Sequence, residues 1–164
     1  WSAAWLLFPG AVVYQWAPAG PHHYQHAQAL VGAGFEVRTE IVWIKPHAPI
    51  SRGYYHHGHE ICLYAVRRGA AASWVGGRKQ TTVWEEAWAG RQSMHPTEKP
   101  VACMARAIQN HAGDVYDPFL GSGSTLCAAE QLGRRCYALE LDPGWCDVAG
   151  QRWQALTGAQ AERA

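Results

Sequence analysis

The sequence predicts a single α/β domain over residues 1–164, and three observations carry that expectation. The run Asp114-Val-Tyr-Asp-Pro-Phe-Leu-Gly-Ser-Gly-Ser-Thr125 passes from a short apolar stretch into a glycine turn. Leu126 to Leu132 is a helix-length segment stopped by Gly133, and a second apolar run, Cys136 to Leu141, follows it and ends on acids. Upstream, Gly10–Trp16, Phe35–Lys45 and His59–Arg67 have the composition and alternation of strands. Strand, glycine turn, helix and strand in this order form a Rossmann-like nucleotide-binding unit. A chain of 164 residues is long enough to bury a real core.

The glycine turn narrows the ligand. Gly121 and Gly123 permit positive φ and let backbone N–H groups come close to a ligand, while Ser124 or Thr125 can cap the following helix. Glu140 follows Gly123 by 17 positions, close to the spacing at which a strand-end carboxylate reaches ribose hydroxyls. A dinucleotide fingerprint needs a third glycine at position 126, which is Leu, and a phosphate loop needs a lysine after the last glycine, where Ser124 stands. An adenosyl ligand with a sulfonium and an amino acid end suits the turn better than a pyrophosphate. Asp117 can meet the positive end of such a ligand; alternatively it caps a turn that the glycines merely shape.

The remaining elements follow in order. Gly10–Trp16 is a strand closed by Pro18 to Pro21, a helix is expected from Pro21 to Leu30, and Phe35–Lys45 and His59–Arg67 resume β-type alternation. Between them, positions 46–58 are loop chemistry, and Lys45, Arg52, Tyr54 and Tyr55 offer cations and rings that suit a flipped base or a nucleic acid strand. A solvated loop anchored by two tyrosines is the plain alternative. The histidine groups 22, 23, 26 and 56, 57, 59 lack a cysteine or carboxylate at ligand spacing, so no metal site is expected. From Arg68 to Met94 the pattern loses its period, and Arg67, Arg68, Arg78, Lys79 and Arg91 are candidate phosphate and base contacts. The plain reading of this stretch is a surface insertion with aromatic plugs. Val101–His111 repeats apolar residues at helical spacing, with Thr97 as a possible cap. After Asp142, Pro143 opens a last helix, Gly144–Leu156, that is expected to pack Trp145, Val148 and Trp153 on the sheet.

Bulk charge is uninformative: fourteen basic and thirteen acidic side chains leave +1, so local distribution must decide about nucleic acid. Five cysteines without a Cys-x-x-Cys pair read as reduced packing residues of a cytoplasmic protein. No apolar run approaches the roughly 20 residues of a membrane span.

Asp117-Pro-Phe-Leu-Gly-Ser-Gly-Ser-Thr125, preceded by His95-Pro-Thr-Glu-Lys-Pro100 and followed by Glu140-Leu-Asp-Pro143, resembles the amino-methylating DNA methyltransferases. The order resembles their permuted subgroup, in which the catalytic motif precedes the cofactor motif; the match is strong from about residue 91 to 156 and continuous from 10 to 69. The resemblance implies transfer of a methyl group from S-adenosylmethionine to the exocyclic amine of adenine or cytosine in double-stranded DNA. It implies a flipped target base and a restriction-modification setting. It further implies a cofactor site of Thr97, Lys99, Asp117, Phe119, Gly121, Ser122, Gly123, Ser124, Thr125, Glu140 and Asp142, with Thr97 and Lys99 on the cofactor's carboxylate. The resemblance also implies a β-hairpin at Phe35–Arg67, and residues 68–94 would be the target-recognition insertion.

One family motif is missing. The chemistry there is done by Asp/Asn/Ser-Pro-Pro-aromatic, whose polar groups accept the hydrogens of an amine that is otherwise a poor nucleophile. The nine prolines here include no adjacent pair. The motif is expected just before Trp1, so the chain reads as the C-terminal majority of an enzyme, and its sheet is expected to be incomplete between Val115–Asp117 and Ala11–Trp16. A non-catalytic S-adenosylmethionine- or DNA-binding module and an RNA methyltransferase are the competing readings.

Overall fold

The computed structural model describes residues 7–18, 20–48, 50, 52–87 and 98–162. The chain divides into two compact units, Trp1–Ala87 and Trp88–Ala164.

The first unit is a four-stranded sheet with one helix. Its elements are β1 (Val12–Ala17), α1 (His23–Gly32), β2 (Phe35–Ile44), β3 (His59–Arg67) and β4 (Val83–Trp84). The spatial order is β1-β3-β2-β4, with β3 antiparallel to both neighbours and β4 parallel to β2. The hairpin expected at Phe35–Arg67 is present. The helix runs two residues later than expected, because the chain first closes a turn in which His23 N–H donates to Gly20 O.

Two hydrophobic layers hold this sheet, one on each face. Leu30 of α1 packs with Phe35, Ile61, Leu63 and Ala65, and Leu7, Val13 and Val37 border that cluster. The opposite face is aromatic: Tyr14 contacts Tyr64 and Trp84, Trp16 contacts Trp43 and Trp84, and Trp74 contacts Tyr64. A bulge between Val37 and Thr39 lets β2 serve both layers. Side chains alternate along a strand, so Phe35 and Ile41 would share a face without it; the extra residue puts Phe35 under α1 and Ile41 and Trp43 on the aromatic side.

The described part of the expected recognition stretch, residues 68–87, contributes Trp74 and Trp84 to that aromatic layer. Trp84 is buried, and its Nε1–H donates to Thr81 O at 3.1 Å; Trp43 Nε1–H donates to Glu86 O at 3.0 Å. The aromatic plugs of the plain reading are therefore present, and the short strand β4 among them had no period to announce it.

The second unit holds α2 (Val101–Gln109), β5 (Val115–Asp117), α3 (Ser124–Gln131), β6 (Cys136–Ala138) and α4 (Pro143–Thr157). β5 and β6 are parallel, with Val115 opposite Cys136 and Asp117 opposite Ala138, and α3 is the crossover between them. α2 packs against α3. Three expectations are corrected here. Neither Ser124 nor Thr125 caps α3: Gly123, with φ +87°, is the N-cap, so both hydroxyl residues already lie in the helix. Pro100 is the N-cap of α2, and Thr97 lies outside the described residues. α4 packs against α3, where Ala149 is buried, more than on the sheet; a two-stranded sheet is too narrow to carry it. α4 starts at Pro143, with Asp142 as its cap: Oδ1 accepts Gly144 N–H at 2.7 Å.

Among the described residues, β5 pairs on one side only, with β6, and β1 pairs on one side only, with β3. Among the described residues, each sheet thus keeps an open edge, at β1 and at β5.

Candidate functional site

The glycine turn stands where β5 ends. Leu139 N–H donates to Asp117 O and Leu120 N–H to Leu139 O, both at 2.9 Å, so the backbone ladder outlasts the three paired residues and brings the turn beside the chain leaving β6. Asp117 Oδ1 accepts Phe119 N–H at 3.0 Å, the local turn its position suggested. Phe119 is 86% exposed. Its ring stands in solvent beside the turn, and Leu139 and Leu141 are also exposed.

Glu140 is fixed by two backbone donors. Its Oε2 accepts Gly121 N–H at 2.7 Å and its Oε1 accepts Asp142 N–H at 3.0 Å.

The two glycines of the turn do different work. A side chain at Gly121 (φ +55°) would meet no atom within 4 Å, so space is open there for a ligand. At Gly123 a Cβ would lie 2.9 Å from Ala149 Cβ and 3.1 Å from Ala149 Cα, and the residue is buried. Gly123 is thus a packing glycine that lets α3 meet α4.

Ser122 and Ser124 are both buried. Arg152 of α4 donates through one guanidinium nitrogen to Ser122 O at 2.8 Å and Ser122 Oγ at 3.0 Å. Its other terminal nitrogen faces Glu98 Oε1 at 2.9 Å. Ser124 Oγ has no hydrogen-bond partner among the described residues. Thr125 is half-buried in the first turn of α3, and Lys99 is half-buried next to Glu98. Sequence reading missed Arg152 and Glu98: the first sits 30 positions from its serine, and the second is the motif residue to which no ligand role attached.

A ligand with a buried-donor requirement and a ribose fits this arrangement. Open space over Gly121, an orphaned buried hydroxyl at Ser124 and a preset carboxylate at Glu140 are the observations that match an adenosyl cofactor carrying an amino acid end. Two thiols near the turn are held protonated: burial raises Cys127, and burial with the Asp117 charge pushes Cys136 up to about 11. Among the described residues no group of three His, Cys, Asp or Glu is placed to hold a metal ion.

The candidate nucleic-acid residues divide. Arg52, Tyr54 and Tyr55 are exposed on the loop between β2 and β3, and Arg78 and Lys79 are exposed before β4. Lys45 is ion-paired with Glu60 at 2.9 Å, where both side chains are mostly buried, so its charge is committed to the base of that loop. Arg67 donates to Ala33 O and lies 5.9 Å from the Phe35 ring centre, which ties it to α1. Arg68 is exposed, and Arg91 lies outside the described residues. No described helix is long and apolar enough to cross a membrane.

Comparisons with known proteins bear on the family and the fold. A family model described as DNA methylase, of the N6/N4 group, matches residues 14–151. The type II methyltransferase M2.DpnII of Streptococcus pneumoniae is 30% identical over 173 residues, covering 92% of this chain and 63% of that protein. M2.LlaDCHI of Lactococcus lactis subsp. cremoris is 28% identical over 170 residues, covering 90% and 61%. The chain thus spans under two thirds of the length of these curated relatives. The crystal structure of the M1.HpyAVI-SAM complex superposes with a TM-score of 0.74 at 26% identity, over 92% of this chain and 78% of that one. The cytosine-N4-specific PvuII DNA methyltransferase shares the fold, with a TM-score of 0.72 at 14% identity over 90% of this chain and 65% of its own. With the Rossmann-like α/β architecture common to those structures and a family model matched over most of its length, this chain belongs to the N6/N4 DNA methylase family.

Proposed function

We propose that these residues form the cofactor-binding and DNA-facing part of an enzyme that methylates the exocyclic amine of adenine or cytosine in double-stranded DNA. The observation that carries the reading is the Glu140 carboxylate locked over Gly121 at the mouth of a strand-turn-helix-strand unit. S-adenosylmethionine, when bound, supplies an activated methyl group on a sulfonium. Glu140 accepts the ribose hydroxyls; Asp142 orients Glu140 through its N–H and caps α4. Asp117 presents negative charge to the sulfonium side, Phe119 offers its exposed ring to the adenine, and Gly121 gives the ligand room. Ser122, Gly123 and Thr125 shape the floor, Ser124 supplies the buried hydroxyl, and Thr97 and Lys99 hold the carboxylate end.

On the DNA side, Arg52, Arg78, Lys79 and Arg91 meet phosphates and Tyr54 and Tyr55 stack on unpaired bases, with Lys45 bracing their loop through Glu60. The stretch 68–94 is the recognition region, and its aromatic residues anchor its charged ones. The target base is flipped, since an amine inside the duplex is out of reach. The setting is cytoplasmic, where a modification enzyme meets chromosomal DNA.

The 164 residues contain no Asp/Asn/Ser-Pro-Pro-aromatic sequence, so the groups that would polarise the amine are not among them, and this chain by itself binds without transferring. That same observation favours a second reading, a non-catalytic binding module. Tritium transfer from labelled cofactor separates them. The gene product that contains these residues should label duplex DNA above RNA of the same sequence, while the 164 residues alone stay at background. Labelling of RNA only would overturn the DNA reading, and cofactor binding with no labelling of either would assign the module.

A further inference from the structure

We propose that Arg152 is a positioning residue for the cofactor, holding the glycine turn and the Glu98–Pro100 segment in register through one guanidinium. The inference rests on the cofactor reading above. Three elements of the second unit meet at this side chain. One terminal nitrogen donates to both the carbonyl and the hydroxyl of Ser122, the residue between the two positive-φ glycines, at 2.8 and 3.0 Å. The other faces Glu98 Oε1 at 2.9 Å. A planar fork can bridge two acceptors in fixed geometry, which a lysine cannot.

The surroundings make the bridge demanding. The Glu98 side chain is 8% exposed and that of Arg152 22%, so the pair is largely shielded from water and its attraction is little screened. Cys127 lies against the same pair and its thiol is held protonated by burial, in line with a dry environment.

The two clamped residues belong to different parts of the proposed cofactor site. Ser122 belongs to the turn under the nucleoside, and Glu98 stands beside Lys99, on the segment assigned to the carboxylate of the methionine part. Loosening the clamp lets that segment drift from the turn. A ligand that spans both loses contact, whereas a ligand confined to the turn does not.

Calorimetric titration of the complete chain with S-adenosylmethionine and, separately, with adenosine tests this. Arg152→Gln should weaken S-adenosylmethionine about tenfold or more while changing adenosine less than about twofold. Arg152→Lys, which keeps the charge and loses the fork, should fall between, and Glu98→Gln should shift the ratio in the same direction. A merely structural arginine would weaken both ligands equally. An unchanged ratio of the two affinities in Arg152→Gln overturns the proposal; if its thermal melt shows that it does not fold, an unchanged ratio in Arg152→Lys and Glu98→Gln overturns it. Unsubstituted chain that binds neither ligand refutes the cofactor reading itself, whereas binding of both with an unmoved ratio refutes only the role of Arg152.

Discussion

The backbone N–H of Gly121 donates to Glu140 Oε2 at 2.7 Å, which joins the turn after β5 to the chain leaving β6. The carboxylate is thereby aimed before any ligand arrives. A hydrogen bond from a backbone N–H to a charged acceptor is worth roughly 1.5–3 kcal/mol, enough to keep Glu140 in one orientation.

The two glycines of the turn should respond differently to a methyl group. Gly123→Ala meets both a strained φ of +87° and Ala149 Cβ at 2.9 Å, so a loss of roughly 2–5 kcal/mol is expected. Gly121→Ala meets the φ penalty alone, roughly 1–2 kcal/mol, and should cost ligand affinity more than stability. Urea denaturation of both variants checks this, and equal losses would contradict the division of roles.

Much of this was legible in the sequence, and the gaps have physical reasons. Alternation located β3 at His59–Arg67 and all of β2, overrunning its end by one residue, because burial on strand faces imprints a local period. The bulge at Arg38 left no imprint, since the residue itself is ordinary and only pairing with β3 reveals it. Asp117, Gly121 and Glu140 could be singled out because short spacings around one turn bring them together. Arg152 was missed because its partners are distant in sequence, and Lys45 looked like a phosphate contact because Glu60 faces it only once the hairpin closes. Gly123 looked like its neighbour Gly121; nothing local says that α4 will press on one and not the other.

The aromatic layer of the first unit predicts where truncation hurts. Trp84 is 2% exposed and contacts Tyr14 and Trp16, so Trp84→Ala should lose about 3–5 kcal/mol. Trp74, 42% exposed, should lose clearly less on the same change. Comparable shifts of the two denaturation midpoints would show that the layer is not packed on Trp84.

Arg78 and Lys79 lie exposed in the same stretch. Replacing both by Ala should leave stability within about 0.5 kcal/mol, as for surface sites without partners in a core. If both meet phosphates, DNA affinity drops and the slope of log affinity against log salt becomes shallower by roughly 2. An unchanged salt slope would remove them from the interface.

Cys136 sets an alkaline limit. Its folded thiol is raised from the ordinary 9.0 to about 11, first by burial and then by Asp117. A raised folded pKa means that its contribution is intact below 9 and is lost as pH climbs through about 11, because the unfolded thiol ionises first. The stability difference between the unsubstituted chain and Cys136→Ala should therefore shrink between pH 9 and 11, and Asp117→Asn should narrow that window. A difference independent of pH over that range would show that the thiol is not shielded.

The most direct test of the central claim, that an adenosyl cofactor sits over Gly121 with its ribose on Glu140, is a calorimetric titration of S-adenosylmethionine into the unsubstituted chain and into Glu140→Ala, with thermal melts confirming that both are folded. The account expects binding by the first and at least about tenfold weaker binding by the second, roughly 1.4 kcal/mol. Equal affinity in the two folded proteins would contradict it.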